Sequence, residues 1–251
     1  MKFALPLILA LGAAVATPAL AQDAMIPQVK SVTFDVAVGG WVHPTYVGSD
    51  DHESGPWLSL RNLRINGAED GDLKYGFSLT PNFDTVGTRD GDDDDRLEGL
   101  DDISRAYEAG LKLSYRVGET TMYGTMRKGF GGHHGVVGEA GVKYRFNPTD
   151  KLTLWASVEA GYGSSRFNET YFGITESEAA RTDFDAFDIG SGINSASARL
   201  EAHYKITEKT SLLGEVKYTR IVGDAADSPI VLDKAQPSIR LGITRTLNFG
   251  F

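Results

Sequence analysis

The sequence predicts an all-β protein, a transmembrane antiparallel up-and-down β-barrel of about ten strands. Apolar side chains return at every second position over stretches of roughly ten residues, the length a tilted strand needs to cross a hydrocarbon layer. The links between these stretches alternate short and long, and the last stretch closes on Phe251. A soluble sandwich also alternates, but its strands run nearer five or six residues.

Taken in order, residues 1–21 begin Met1-Lys2-Phe3, run apolar to Ala16 and finish Pro18-Ala19-Leu20-Ala21, a secretory signal pattern with cleavage expected after Ala21. Pro6, Gly12 and the short apolar run argue against a membrane-anchoring helix. Residues 22–251 are expected to form a single barrel domain. Strand patterns lie at 32–42, 57–65, 73–83, 107–117, 121–128, 136–146, 152–162, 196–206, 212–220 and 239–251. In the clearest, Ala196, Ala198, Leu200, Ala202, Tyr204 and Ile206 alternate with Ser195, Ser197, Arg199, Glu201, His203 and Lys205. The stretch 57–65 is ambiguous in phase, and Trp155 falls on the polar side of its strand.

Short links at 67–72, 118–119, 147–150 and 207–209 carry the Gly, Asn, Pro and Asp of tight turns. Long polar links at 43–54, 88–104, 129–135, 164–192 and 222–237 fall between them, the two-rim asymmetry of an outer-membrane barrel. Tyr115, Tyr144, Phe146, Tyr204 and Phe249 lie near the short-turn rim, where an aromatic girdle is expected. Ile239, Leu241, Ile243, Leu247, Phe249 and Phe251 share the last strand's apolar face, interrupted by Arg245. Phe249 and Phe251 there resemble the signal read by the barrel assembly machinery.

The inward face carries Asp35, Lys74, Lys112, Arg116, Glu139, Lys143, Arg145, Glu159, Arg199, Glu201, His203, Lys205, Glu215, Lys217 and Arg240. Enclosed charges of both signs persist when paired, so a lumen crossed by salt bridges is expected over a water-filled pore.

Composition narrows the function. The 251 residues hold 25 Lys plus Arg against 34 Asp plus Glu, a net charge of −9 without a basic cluster, which argues against a nucleic-acid partner. The absence of Cys removes disulfides and thiol chemistry. Asp90, Asp92, Asp93, Asp94 and Asp95 lack the EF-hand order, and His133-His134 have no third ligand at a telling spacing, so no metal site is assigned. Gly129-Phe130-Gly131-Gly132 is no phosphate cradle, since no Lys-Ser/Thr follows. Nothing in the spacing selects Ser164, Ser165, His43 and His52 as a rim hydrolase. Asn168-Glu169-Thr170 fits a glycosylation sequon without meaning in a bacterial-type barrel.

Three stretches resemble a known family. Tyr171-Phe172-Gly173-Ile174-Thr175 with Glu178-Ala179-Ala180, then Gly223-Asp224-Ala225-Ala226-Asp227-Ser228-Pro229-Ile230-Val231, and Pro44-Thr45-Tyr46-Val47-Gly48-Ser49 are similar to hallmark segments of the MipA/OmpV family. The resemblance implies a non-enzymatic barrel in the bacterial outer membrane, in contact with its lipid, without a cofactor. It further implies a scaffold linking a lytic murein transglycosylase to a bifunctional penicillin-binding synthase, while other members are osmoregulated or antigenic surface proteins. Twelve strands is the count it offers against ten, and a narrow or gated small-solute channel is the alternative function. The Tyr171 and Asp224 loops are expected to fold over the barrel mouth, with Tyr171, Phe172 and Ile174 as an apolar plug.

Overall fold

The computed structural model describes residues 30–65, 75–91 and 93–251. The export signal over 1–21 therefore lies outside the described residues, as do the 67–72 turn and Lys74. Among the described residues ten strands form: β1 Ser31–Pro44, β2 His52–Ile65, β3 Tyr75–Val86, β4 Ala106–Val117, β5 Thr120–Gly131, β6 Val136–Thr149, β7 Leu152–Gly163, β8 Gly192–Thr207, β9 Thr210–Ile221 and β10 Ala235–Gly250. Two short helices, α1 Ser165–Phe172 and α2 Glu176–Ala179, lie in the longest loop.

Every pairing is antiparallel between chain neighbours, except that β10 also pairs with β1 from Ser31↔Gly250 to Val42↔Ile239. First and last strands thus meet, as an up-and-down barrel requires, and β2 and β3 form the two ends of the sheet's order. β2 starts five residues ahead of its expected apolar run. Pro56 obscures the alternation there, and a strand at a sheet end tolerates its missing donor.

Burial follows the alternation. Leu60, Phe77 and Met126 expose 70%, 73% and 68% of their surface, while Glu108 and Glu215 expose 4% each. Water does not tolerate an apolar belt of this extent, and acyl chains do. Aromatic contacts mark the short-turn rim: Phe34 stacks on Phe249 at 5.7 Å, Phe77 meets Tyr115 at 4.4 Å and Tyr144 meets Phe146 at 6.0 Å. At the other rim the indoles of Trp41 and Trp57 donate to the Pro56 and Gly40 carbonyls, each at 3.1 Å. Arg245 is exposed and sits opposite Thr210, beside the tight turn between β8 and β9, so its charge reaches the rim rather than the middle of the belt. Trp155 points inward, edge-on to His203 at 4.7 Å with the Lys143 ammonium over its ring at 5.0 Å, which accounts for its place on the polar side.

Candidate functional site

Two layers fill the barrel's inside, and a lid of loops covers its long-loop mouth. In the lower layer, Glu159 accepts from Tyr123 at 2.6 Å and lies 2.8 Å from Lys217 and 3.3 Å from Arg199. Glu215 sits 3.8 Å from Arg199 and 3.7 Å from Arg240, charge contacts longer than a hydrogen bond. Five strands contribute to this layer, and its opposite charges meet instead of lining separate walls.

The upper layer centres on Glu108. One oxygen accepts from Arg127 Nε at 2.7 Å, and the other faces His133 Nε2 at 3.1 Å. Because His133 Nδ1 accepts from the Gly135 N–H, Nε2 carries the ring proton and donates to Glu108. Arg127 also reaches Glu139 at 3.2 Å and Asn82 at 2.8 Å. The glycine run explains itself here, since a Cβ on Gly129 would overlap the His133 imidazole. His134 is exposed, and its carbonyl accepts from Lys128. The imidazole's basic nitrogen is thus occupied by backbone. Neither Ser164, whose hydroxyl accepts from the Val136 N–H at 2.8 Å, nor His43, bonded to the Pro44 carbonyl, joins a catalytic arrangement among the described residues.

The lid is a miniature core. Ile103, Tyr171, Phe172, Ile189, Ile221 and Ala225 form one buried cluster, and Tyr46, Leu97, Leu100, Ile174 and Ile230 another. α1 ends at Phe172, and Gly173 turns the chain so that Ile174 pairs with Phe187 across an isolated bridge. Thr175 and Glu178 then form a capping box: the threonine hydroxyl accepts from the Glu178 N–H at 3.3 Å, and the carboxylate accepts from the Thr175 N–H at 2.8 Å. The other Glu178 oxygen accepts from the Asp101 N–H at 3.0 Å, tying the loop after β3 to this one. Burial works against the Glu178 carboxylate, yet these hydrogen bonds hold its pKa below the usual value.

Gly223, in the left-handed region at φ 61°, turns the chain out of β9 into a 3-10 turn through Asp227. Ser228, directly after it, donates to the Phe172 carbonyl at 2.6 Å. Leu232 and Asp233 N–H donate to the Gly48 carbonyl at 2.8 and 3.0 Å, while the Gln236 amide spans the Gly48 N–H and the Ser49 carbonyl. Three segments far apart in sequence are therefore knotted by side chain to backbone and backbone to backbone bonds. Asp224 and Asp227 stay exposed at the lid surface, Ala225 is buried, Ala226 packs against the first cluster, and Pro229 lies between Ser228 and the fully buried Ile230.

A cluster of three carboxylates and one guanidinium sits at the rim. Asp50, Asp51 and Asp94 bring carboxylate oxygens within 4.8 Å of one another, and Arg96 bridges Asp94 at 2.6 Å and Asp50 at 3.2 Å, so the repulsion is relieved internally. The hydrogen bond from Arg96 holds the Asp94 carboxyl below its usual range. Phe249 and Phe251 are exposed at the short-turn end, 47% and 83%.

A family described as MltA-interacting protein MipA matches residues 36–247. The chain belongs to this family. Relatives named MltA-interacting protein in Escherichia coli (strain K12) and Shigella flexneri are each 28% identical over 156 residues, which is 60% of this chain and 60% of theirs. The match spans less than two thirds of those relatives' length. Among solved structures, the N-terminal β-barrel domain of Pseudomonas aeruginosa OprF is 13% identical with a TM-score of 0.30, covering 87% of this chain and 98% of that one. A loop-deletion variant of the Vibrio cholerae outer-membrane protein OmpT is 10% identical with a TM-score of 0.37, covering 88% and 100%. At these scores the fold rests on the strand pairing described above. For this MipA-family chain, the three segments first noticed in the sequence are the ones that interlock in the lid: Tyr171 to Ser228 through Phe172, and Ser228 to Gly48 through Leu232.

Proposed function

We propose that this protein is exported, loses residues 1–21, and serves as a non-enzymatic barrel of the bacterial outer membrane that anchors wall-remodelling partners. Those partners are a murein transglycosylase and, through it, a penicillin-binding synthase. The observation that carries the non-enzymatic part is the meeting of opposite charges in the barrel interior beneath the lid, where among the described residues Glu108, Glu159 and Glu215 are taken up by Arg and Lys partners. The name of the relatives supports the partner class. Peptidoglycan lies on the side of the short turns, so partner contact falls to those turns and to residues 22–30. A small-solute channel asks for charges that line opposite walls, whereas here they pair.

The test is co-purification from native membranes in mild detergent. A murein hydrolase retained with the full chain and lost on trimming residues 22–30 is the expected result. Absence of any retained murein enzyme, with the barrel still showing heat-dependent gel mobility, overturns the scaffold reading.

A further inference from the structure

A small cavity opens at the long-loop rim between the ends of β1 and β3, about 170 Å³ in volume and bordered by Pro44, Tyr46, Val86, Arg89, Tyr171 and Gln236. A single water needs only about 10–15 Å³, and a cavity of about 150 Å³ can admit benzene, so this one takes a ligand of several heavy atoms. Arg89 is 4% exposed. Its guanidinium donates to the Tyr171 carbonyl at 3.4 Å, and among the described residues no carboxylate stands at ion-pair distance. Glu178 and Asp101, which act on Arg89 electrostatically, are engaged elsewhere: Glu178 with Thr175 and the Asp101 N–H, Asp101 with Arg181 at 2.8 Å.

Tyr46 and Tyr171 border the same space, and the hydroxyl of each is buried without a hydrogen-bond partner. Burial pushes the Tyr46 phenol up to about 12 and raises that of Tyr171 as well, so both keep their protons as donors. A buried cation without a counter-charge and two buried hydroxyls without acceptors are each unfavourable alone. Both hydroxyls are closed off even from water, whereas Arg89 lines the cavity, and an acceptor-rich anion satisfies its guanidinium there. The remaining wall, with Pro44, Val47 and Val86, is largely apolar and suits a compact hydrocarbon body better than a fully hydrated inorganic ion.

We propose that this cavity binds a small organic carboxylate, with Arg89 meeting the carboxylate and the apolar wall holding its hydrocarbon part. The site lies on the rim opposite the proposed partner surface, so it stands or falls independently of the scaffold reading.

The experiment uses the mature chain refolded in detergent, its folding checked by heat-dependent gel mobility, with benzoate, acetate and inorganic phosphate as separate titrants in calorimetry. Saturable benzoate binding, tighter than acetate, is expected. Arg89→Met is expected to weaken it about tenfold or more, and Arg89→Lys, which keeps the charge but not the fork of donors, several-fold. Should Arg89→Met fail to fold, Arg89→Lys decides. Absence of benzoate binding, binding of phosphate alone, or benzoate affinity unchanged in the folded variants overturns the proposal.

Discussion

Glu108 holds the upper interior together, since one carboxylate answers both Arg127 at 2.7 Å and His133 at 3.1 Å. All three side chains are at least nine-tenths buried, so removing the shared partner leaves Arg127 Nε and His133 Nε2 without their acceptor at once, while Glu139 and Asn82 keep the rest of the guanidinium engaged. Glu108→Ala is expected to lower unfolding stability by about 2–4 kcal/mol, read from urea titration of the refolded barrel by tryptophan fluorescence. Glu108→Gln, which keeps an acceptor for one partner, is expected to lose less. A loss for Glu108→Ala below about 1 kcal/mol contradicts this account. Part of this cluster was legible in the strand phase. Lys112 and Arg116 were expected to face inward, and Glu108 lies four positions earlier on the same face. Arg127 and Tyr123 carry no such local signal, because a strand's own residues do not reveal which charge stands on the strand beside it. Cross-strand register, Arg127 being paired with Gly110 and Val137, is a property of the assembled sheet.

At the scale of elements, strands were readable and the lid only in part. Period-two alternation placed nine of the ten strands and residue type alone placed β2, and the observed elements extend beyond the apolar runs, reaching 16 residues in β8 and β10, because backbone pairing continues where side chains turn polar. The lid's helices escaped because α1 spans eight residues and α2 four, too short to show a period of their own. The Thr175-x-x-Glu178 spacing was the available signal for α2, a capping box written in the sequence. The bond from Ser228 to Phe172 crosses 56 residues and has no local trace. The capping box carries a pH prediction. The folded-state pKa of Glu178 lies below its ordinary value of 4.5, so its stabilisation is fully present above about that value and is lost as pH falls through the folded one. Amide protection at Ala179 and Ala180, corrected for intrinsic exchange, is therefore expected to fall on acidification below pH 4.5, and the fall is expected to vanish in Glu178→Gln. Protection that stays level in the native chain through pH 3 contradicts it.

For the whole molecule, the inside decides what the outside is for. A sheet curled until its first and last strands pair, with an apolar exterior, is suited to lipid, but that holds equally for pores and for plugged barrels. Here the distinguishing feature is the band in which Glu159 and Glu215 are shared among Arg199, Lys217 and Arg240, drawing three strands' cations toward two carboxylates across the lumen. Each carboxylate is 9% exposed or less on its side chain, so water does not hold these charges apart. Planar-bilayer recordings of the native chain are accordingly expected to show conductance at background. Glu159→Gln together with Glu215→Gln leaves three cations facing one another; their repulsion separates them and draws in water and counter-ions. That variant is expected to leak with preference for anions, at conductances well above the native chain, while retaining its heat-dependent gel mobility. A native chain that already conducts as strongly as the double variant places an open path beside the salt bridges and sinks the plugged-barrel account. Leakage in the variant without ion preference points instead to failure of the barrel wall, since an intact ring of Arg199, Lys217 and Arg240 repels cations.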